Sequence, residues 1–318
     1  MDTGWILLTF LAAAAGSLVL GLLLRGVDRK VTARVQWRVG PPLYQPLIDV
    51  IKLTGKETLM PVTARRTGFL LAPMLALAAT GVAAVILWRA LLQPEVTFMG
   101  DLIVVVYLLT IPALMTILGA SASGNPHAAV GAARELKLLL SYELPLFLVI
   151  LLAIARAGWT FQLGVLAGHT PALYSISGVI AFVIAILCMQ AKLGQIPFDM
   201  AEAECELMSG VYVEYSGLPL GMFLMARAMM LALLPLLLVM VFWGGLTLSG
   251  NVLHKLLGVA AFLGKYLLLV VLVVLIRNTN PRLRIDQTLR LFWYRLTPAA
   301  AFAVALTLVG ISRGLKWL

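Results

Sequence analysis

Five carboxylates, Asp199, Glu202, Glu204, Glu206 and Glu214, fall within the stretch IPFDMAEAECELMSGVYVEYSG at Ile196–Gly217, in a chain with only 14 Asp and Glu. Acids held beside a low-dielectric phase lose solvation, their charged forms become costly, and they take up and release protons readily. Two further acids, Glu135 and Glu143, lie in GAARELKLLLSYELP. On a helix that spacing is about 12 Å of rise and about 80° of rotation, so the two share a side without stacking. Glu143 sits among leucines, and Pro145 beside it frees a backbone carbonyl. The chemistry such residues can do is proton or ion handling at a membrane. For Glu143 the competing reading is structural pairing with Arg227 or Lys265, which also fall within apolar runs.

The elements that must position these acids are apolar. With 318 residues, 62% hydrophobic, 12% charged and a mean hydropathy of +1.01, the chain reads as an all-α polytopic membrane protein. Runs long enough to cross a bilayer lie near Trp5–Leu24, Gly68–Leu91, Leu102–Ala122, Leu138–Ala155, Leu173–Ala191, Leu220–Trp243, Leu256–Ile276 and Pro298–Ile311. About eight transmembrane helices are expected, the last of them the shortest. No alternating ten-residue strands occur, which argues against a β-barrel. The first run follows an acidic Met1-Asp2-Thr3 and leads directly into a basic stretch, so it reads as a retained span and not a cleaved leader.

Lys and Arg set the orientation. Of 24, nine fall in Arg25–Arg66, and Arg134, Lys137, Lys192 and the basic residues of Arg277–Arg295 extend the same side. That side is expected to face the cytoplasm, with both termini outside. Residues 1–318 read as one membrane domain, with a basic cytoplasmic loop at 25–66 and an acidic one at 192–219. The net charge of +10 reflects this bias and not nucleic-acid binding. In the basic loop, Leu43, Leu47, Val50 and Ile51 make the stripe of a short amphipathic helix lying in the interface. Its function as a lipid anchor alone is an equally open reading.

In the acidic loop, Pro197 is placed to start a helix, which would put Asp199, Glu202 and Glu206 on one face and Glu204 elsewhere. A solvated acidic loop is the alternative, although Phe198, Met200 and Leu207 leave little polar surface for it. The two cysteines, Cys188 and Cys205, are too few for an iron–sulfur cluster. The three histidines are far apart, so no metal or cofactor site and no catalytic residue is expected in this chain.

These segments together resemble a known family. RVQWRVGPP at Arg34–Pro42, IKLTGKETLMP at Ile51–Pro61, GAARELKLLLSYE at Gly131–Glu143, QIPFDMAEAECELMSGVYVEYSG at Gln195–Gly217 and PRLRIDQTLRLFW at Pro281–Trp293 are similar to the membrane subunit shared by respiratory complex I (its H-type, or subunit 1, component) and the membrane-bound energy-converting hydrogenases. The resemblance covers almost the whole chain. It implies a membrane-anchor and coupling subunit, without a redox centre of its own, in a redox-driven ion-pumping oxidoreductase complex of a bacterial or archaeal cytoplasmic membrane. Glu135, Glu143, Asp199, Glu202, Glu204, Glu206 and Glu214 then become coupling acids on a proton or sodium path. Arg34, Arg38, Lys52, Lys56 and Glu57 become the residues that dock a peripheral arm.

The resemblance also points to a branch. GPP runs straight into LYQPLIDVIKL without the insert typical of complex I members, and NPHAAVGAARE at Asn125–Glu135 is similar to the hydrogenase-type approach to the fourth span, apart from His127. RIDQTLRLFW is closer to complex I. The hydrogenase-like (group 4) branch is favoured, and the quinone-chamber subunit of an NADH-quinone oxidoreductase is the alternative. Expected partners are hydrogenase-like large and small subunits, a ferredoxin-like subunit, antiporter-like and small membrane subunits, and lipid, with no nucleic acid. Iron–sulfur clusters and a nickel–iron site belong to those partners. A stand-alone secondary transporter is disfavoured, because its halves should show internal repeats.

Overall fold

The computed structural model describes residues 3–202, 208, 210–246, 251–315 and 317, with side chains from residue 9 onward. The described elements are helical. In chain order they are α1 (Thr3–Val35), α2 (Gln45–Thr54), α3 (Arg66–Leu92), α4 (Asp101–Leu108), α5 (Ile111–Ala122), α6 (Pro126–Arg156), α7 (Leu163–Gly168), α8 (Ile176–Lys192), α9 (Gly217–Leu238), α10 (Val252–Thr279), α11 (Ile285–Arg290) and α12 (Thr297–Arg313). Among the described residues, seven helical stretches are long and apolar enough to cross a membrane, and α8 is a shorter apolar helix beside them. The eight expected apolar runs are thus all found as helices.

Three features differ from the sequence reading. The third run is two helices, α4 and α5, because Leu109 and Thr110 leave the helical path just before Pro112. The eighth is long, not short. A π-helical turn at Leu291–Leu296 joins α11 to α12, so one stretch runs Ile285–Arg313. Arg290 and Arg295 hid that extension from a hydropathy count. The shortest of the eight expected runs is instead α8, at 17 residues.

The helices pack through small residues, as expected where lipid is as apolar as leucine and close approach supplies the attraction. The buried face of α3 is largely alanine (Ala72, Ala76, Ala79, Ala83, Ala90), and it packs against α5 and α9. Farther along, α9 is buried on nearly every side and forms the centre of the bundle.

The amphipathic helix forms as α2, but its stripe is rotated. Pro46 is buried, with Leu47, Val50 and Leu53 partly so, whereas Ile51 is 67% exposed and Leu43 41%. The reason is that α2 lies against α1 and α9 instead of floating on its own apolar arc. Arg29 of α1 clamps it through Asp49 at 2.7 Å, and Gln45 donates to the same carboxylate at 3.3 Å. Burial opposes ionisation of Asp49, but those two hydrogen bonds prevail and hold its carboxyl below the usual range.

Candidate coupling site

The acidic segment does not begin as a helix. Residues 193–202 form turns and bends, with a cis bond between Ile196 and Pro197. This corrects the reading of Pro197 as a helix start and of Asp199 and Glu202 as one helical face. The backbone is instead pinned from outside: Gln190 Nε2 donates to the Ile196 carbonyl at 2.8 Å, and Leu283 N–H to the Pro197 carbonyl at 3.0 Å. Phe198 is buried against Phe292, with ring centroids 5.1 Å apart. Such long-range anchors outweigh the local preference of a proline for a helix start.

Two glycines let the segment lie on α6. Gly210 has φ +56°, and a Cβ there would come within 1.8 Å of the Ala201 carbonyl oxygen. Gly131 of α6 faces the same strip of chain, where a Cβ would stand 3.1 Å from that oxygen and 3.0 Å from the Val211 nitrogen. Only glycine allows this backbone approach.

The acids then separate to different partners. Asp199 accepts from Arg282 at 3.1 Å. Burial, and next the nearby charge of Glu202, push the Asp199 carboxyl up to about 6 against the opposing pull of Arg282. Glu202 forms an ion pair with Arg227 of α9. The Arg227 guanidinium stands 5.1 Å over the Tyr212 ring and is within electrostatic reach of Glu135. Arg227 and Glu202 charges also reach Tyr212, whose buried hydroxyl has no hydrogen-bond partner among the described residues. Burial raises the Tyr212 phenol well above its ordinary value.

Two cavities flank the Glu202–Arg227 pair. One, of about 430 Å³, is lined by Arg25, Asp28, Asp199, Arg277 and Arg282 besides the pair itself. Buried Asp28 is ion-paired with Arg277 of α10. The other, of about 40 Å³, is lined by Glu135, Lys192, Thr116 and Tyr212 as well as the pair. Charge therefore continues from the basic end of the bundle to the acid on α6.

Of the seven acids, the structure brings Asp199, Glu202 and Glu135 together around Arg227 and Arg282. Glu143 is half-buried on α6, and its charge reaches Lys192 and Tyr142. The pairing of Glu143 with Arg227 or Lys265 does not form: Arg227 is taken by Glu202, and Lys265 donates to the Trp243 carbonyl at 3.0 Å. Glu214 stands apart, accepting from Asn125, whose own side chain caps the start of α6. Glu204 and Glu206 lie outside the described residues. Arg34, Arg38, Lys52, Lys56 and Glu57 are all exposed on one end of the molecule, beside Trp37 (98% exposed) and Val39 (81%).

Sequence reasoning missed the basic half of the site: Arg25, Arg277, Arg282 and Lys192, together with Asp28. A signal existed, since each lies at the end of an apolar run where a solvated cation is the ordinary expectation. Their place in the structure distinguishes them: Asp28 and Lys192 are buried, Arg25 and Arg277 half-buried, and the exposed Arg282 reaches back to Asp199. Among the described residues no group of three or more His, Cys, Asp or Glu is arranged to hold a metal.

The sequence matches a family model described as NADH dehydrogenase over residues 7–308. Similar curated proteins include the H-type subunit of the NADH-quinone oxidoreductase of Brevibacillus brevis, 33% identical over 292 residues that span 90% of this chain and 87% of that one. Its counterpart in Thermomicrobium roseum is 34% identical over 308 residues, 88% of each chain. Among solved structures, a chain of the membrane-bound sulfane sulfur reductase, an archaeal respiratory membrane complex, superposes with a TM-score of 0.84 at 30% identity, covering 95% of this chain and 99% of that one.

Proposed function

This chain belongs to the NADH dehydrogenase family, that of the H-type membrane component of NADH-quinone oxidoreductase, and from that membership we propose that it is the membrane-anchor and coupling subunit of a redox-driven ion-pumping complex. The observation that carries the reading is the Glu202–Arg227 pair, set between two charged cavities and linking Asp199 to Glu135. Charges this closely coupled titrate as a set. A change of charge or position in a partner next to residues 193–202 alters the protonation of Asp199 and Glu202. Arg227 passes that change to Glu135, and Glu143 carries it deeper into the membrane.

The exposed Arg34, Arg38, Lys52, Lys56 and Glu57 dock the peripheral arm, on the cytoplasmic side by the Lys and Arg bias, with both termini outside. That arm comprises hydrogenase-like large and small subunits and a ferredoxin-like subunit, which hold the iron–sulfur and nickel–iron centres. Antiporter-like and small membrane subunits take the lateral flank. The mainly charged lining of the larger cavity supports this hydrogenase-like reading, because an apolar quinone asks for a mostly apolar pocket. The second reading, a quinone-chamber subunit, is favoured by the names of the relatives.

The test is Glu143→Gln in vesicles carrying the assembled complex. Ion translocation per electron falls at least tenfold while the subunits still co-purify. Normal pumping would remove Glu143 from the path. A large subunit with four nickel-ligating cysteines among the co-purifying chains supports the hydrogenase branch, and quinone-dependent turnover supports the other.

A further inference from the structure

The break in the third span has a buried cation at its edge. Thr110 N–H turns to the Tyr107 carbonyl at 3.0 Å, and its hydroxyl donates to the same oxygen at 2.7 Å. The Val106 carbonyl is thereby left without its donor four residues on. Lys192, the last residue of α8 and 7% exposed, donates its Nζ to that oxygen at 3.5 Å. Unwound backbone at such depth survives where it lines a cavity or meets a polar group.

An ammonium has three N–H donors, and among the described residues this one makes a single long contact. No carboxylate among the described residues closes an ion pair on Lys192, although the charge of Glu143 reaches it. Burying such a cation is costly unless something is gained. Its location shows what. Lys192 lines the small cavity with Glu135, Glu202, Tyr212 and Arg227, and on its other side the apolar cleft with Val106, Leu146 and Met189. Glu135 and Glu143 stand about 12 Å apart along α6, beyond the reach of a hydrogen bond or a single water. Lys192 of α8 shares the small cavity with Glu135 and is within electrostatic reach of Glu143. Tyr142, whose buried hydroxyl has no partner among the described residues, is within electrostatic reach of both acids.

We propose that Lys192 is the proton carrier between the Glu135 cavity and Glu143. One N–H bond of the ammonium breaks with its electron pair staying on nitrogen, and the proton bonds to a carboxylate oxygen of Glu143. The neutral amine then takes the proton of the Glu135 carboxyl, whose O–H bond breaks, and the ammonium is restored. One proton moves from Glu135 to Glu143 with no redox change. This rests on the coupling role proposed above for those two acids.

Four variants of the assembled complex in vesicles test it, read as ions translocated per electron. Lys192→Met removes the nitrogen, and Lys192→Arg keeps the charge on a group that does not deprotonate in proteins. Lys192→His keeps a titratable nitrogen of lower basicity. Lys192→Met and Lys192→Arg are expected to lose at least tenfold, while Lys192→His keeps a measurable part with its pH optimum moved to lower pH. Pumping by Lys192→Arg near the wild-type level makes Lys192 a counter-ion only and overturns the proposal. Pumping by Lys192→Met overturns it too, as does equal loss in all three, the pattern of a packing role. Glu143→Gln separates the two levels: if it pumps normally, the coupling reading itself fails. If it is dead while Lys192→Met is active, only the carrier role fails.

Discussion

Glu202, on an irregular segment, and Arg227, in α9, form an ion pair in the wall shared by two cavities. Neither is deeply buried, at 24% and 29% side-chain exposure, yet the pair joins the acid of the large cavity to that of the small one. Under the coupling role proposed above, the pair is where a change on one side would reach the other.

Single replacements at this pair leave one half-buried charge uncompensated. Glu202→Gln or Arg227→Gln is expected to cost about 1–3 kcal/mol, below the range for a fully buried pair because solvent screens part of the loss. The double variant recovers some of it, with a coupling of roughly 1 kcal/mol in a double-mutant cycle. Thermal melting of the purified complex measures this. Additive losses would mean that the two charges are not coupled.

Asp199 titrates near pH 6, lifted first by burial and next by Glu202, with Arg282 pulling the other way. Its folded value exceeds the ordinary 3.8. Its contribution to stability is therefore fully present below 3.8 and is lost as pH rises through about 6. Its ion pair with Arg282 has the opposite course, forming as pH rises through that value. Arg282→Gln removes a charge that favours the carboxylate, so the midpoint moves to higher pH. Infrared difference spectra of the carboxyl band, assigned with Asp199→Asn, report the midpoint. A midpoint that stays or falls would show that Arg282 does not hold this carboxyl.

Gly210 and Gly158 have similar left-handed backbones, φ +56° and +80°, but different surroundings. A Cβ at Gly158 meets nothing within 4 Å, whereas at Gly210 it strikes the Ala201 carbonyl. Gly158→Ala should cost about 1–2 kcal/mol, the left-handed penalty alone. Gly210→Ala should cost clearly more and lower the yield of assembled complex, because backbone must move. Equal melting temperatures for the two variants would refute the close approach at Gly210.

The legibility of the site in the sequence followed the range of the interactions. Glu135 and Glu143 were readable because a helical repeat fixes their relation within α6. Asp199 and Glu202 were recognisable as acids beside lipid. Their helical face was not, because the segment is shaped by Leu283 and Gln190, which bond to the carbonyls of Pro197 and Ile196. The α2 stripe was found within one turn and misaligned in detail, since α1 and α9 decide which side is buried.

The sequence by itself determined an all-helical membrane chain with about eight crossings, because apolar length and backbone satisfaction in lipid leave no other arrangement for such runs. It also determined that acids crowd at one end. Tertiary structure alone decided which cation each acid meets. Asp28 meets Arg277 across 249 residues, Asp199 meets Arg282 across 83, and Lys192 comes to the broken third span across 86. Charge pairing depends on distance in space, and burial decides its strength. Neither quantity is carried by local spacing along the chain.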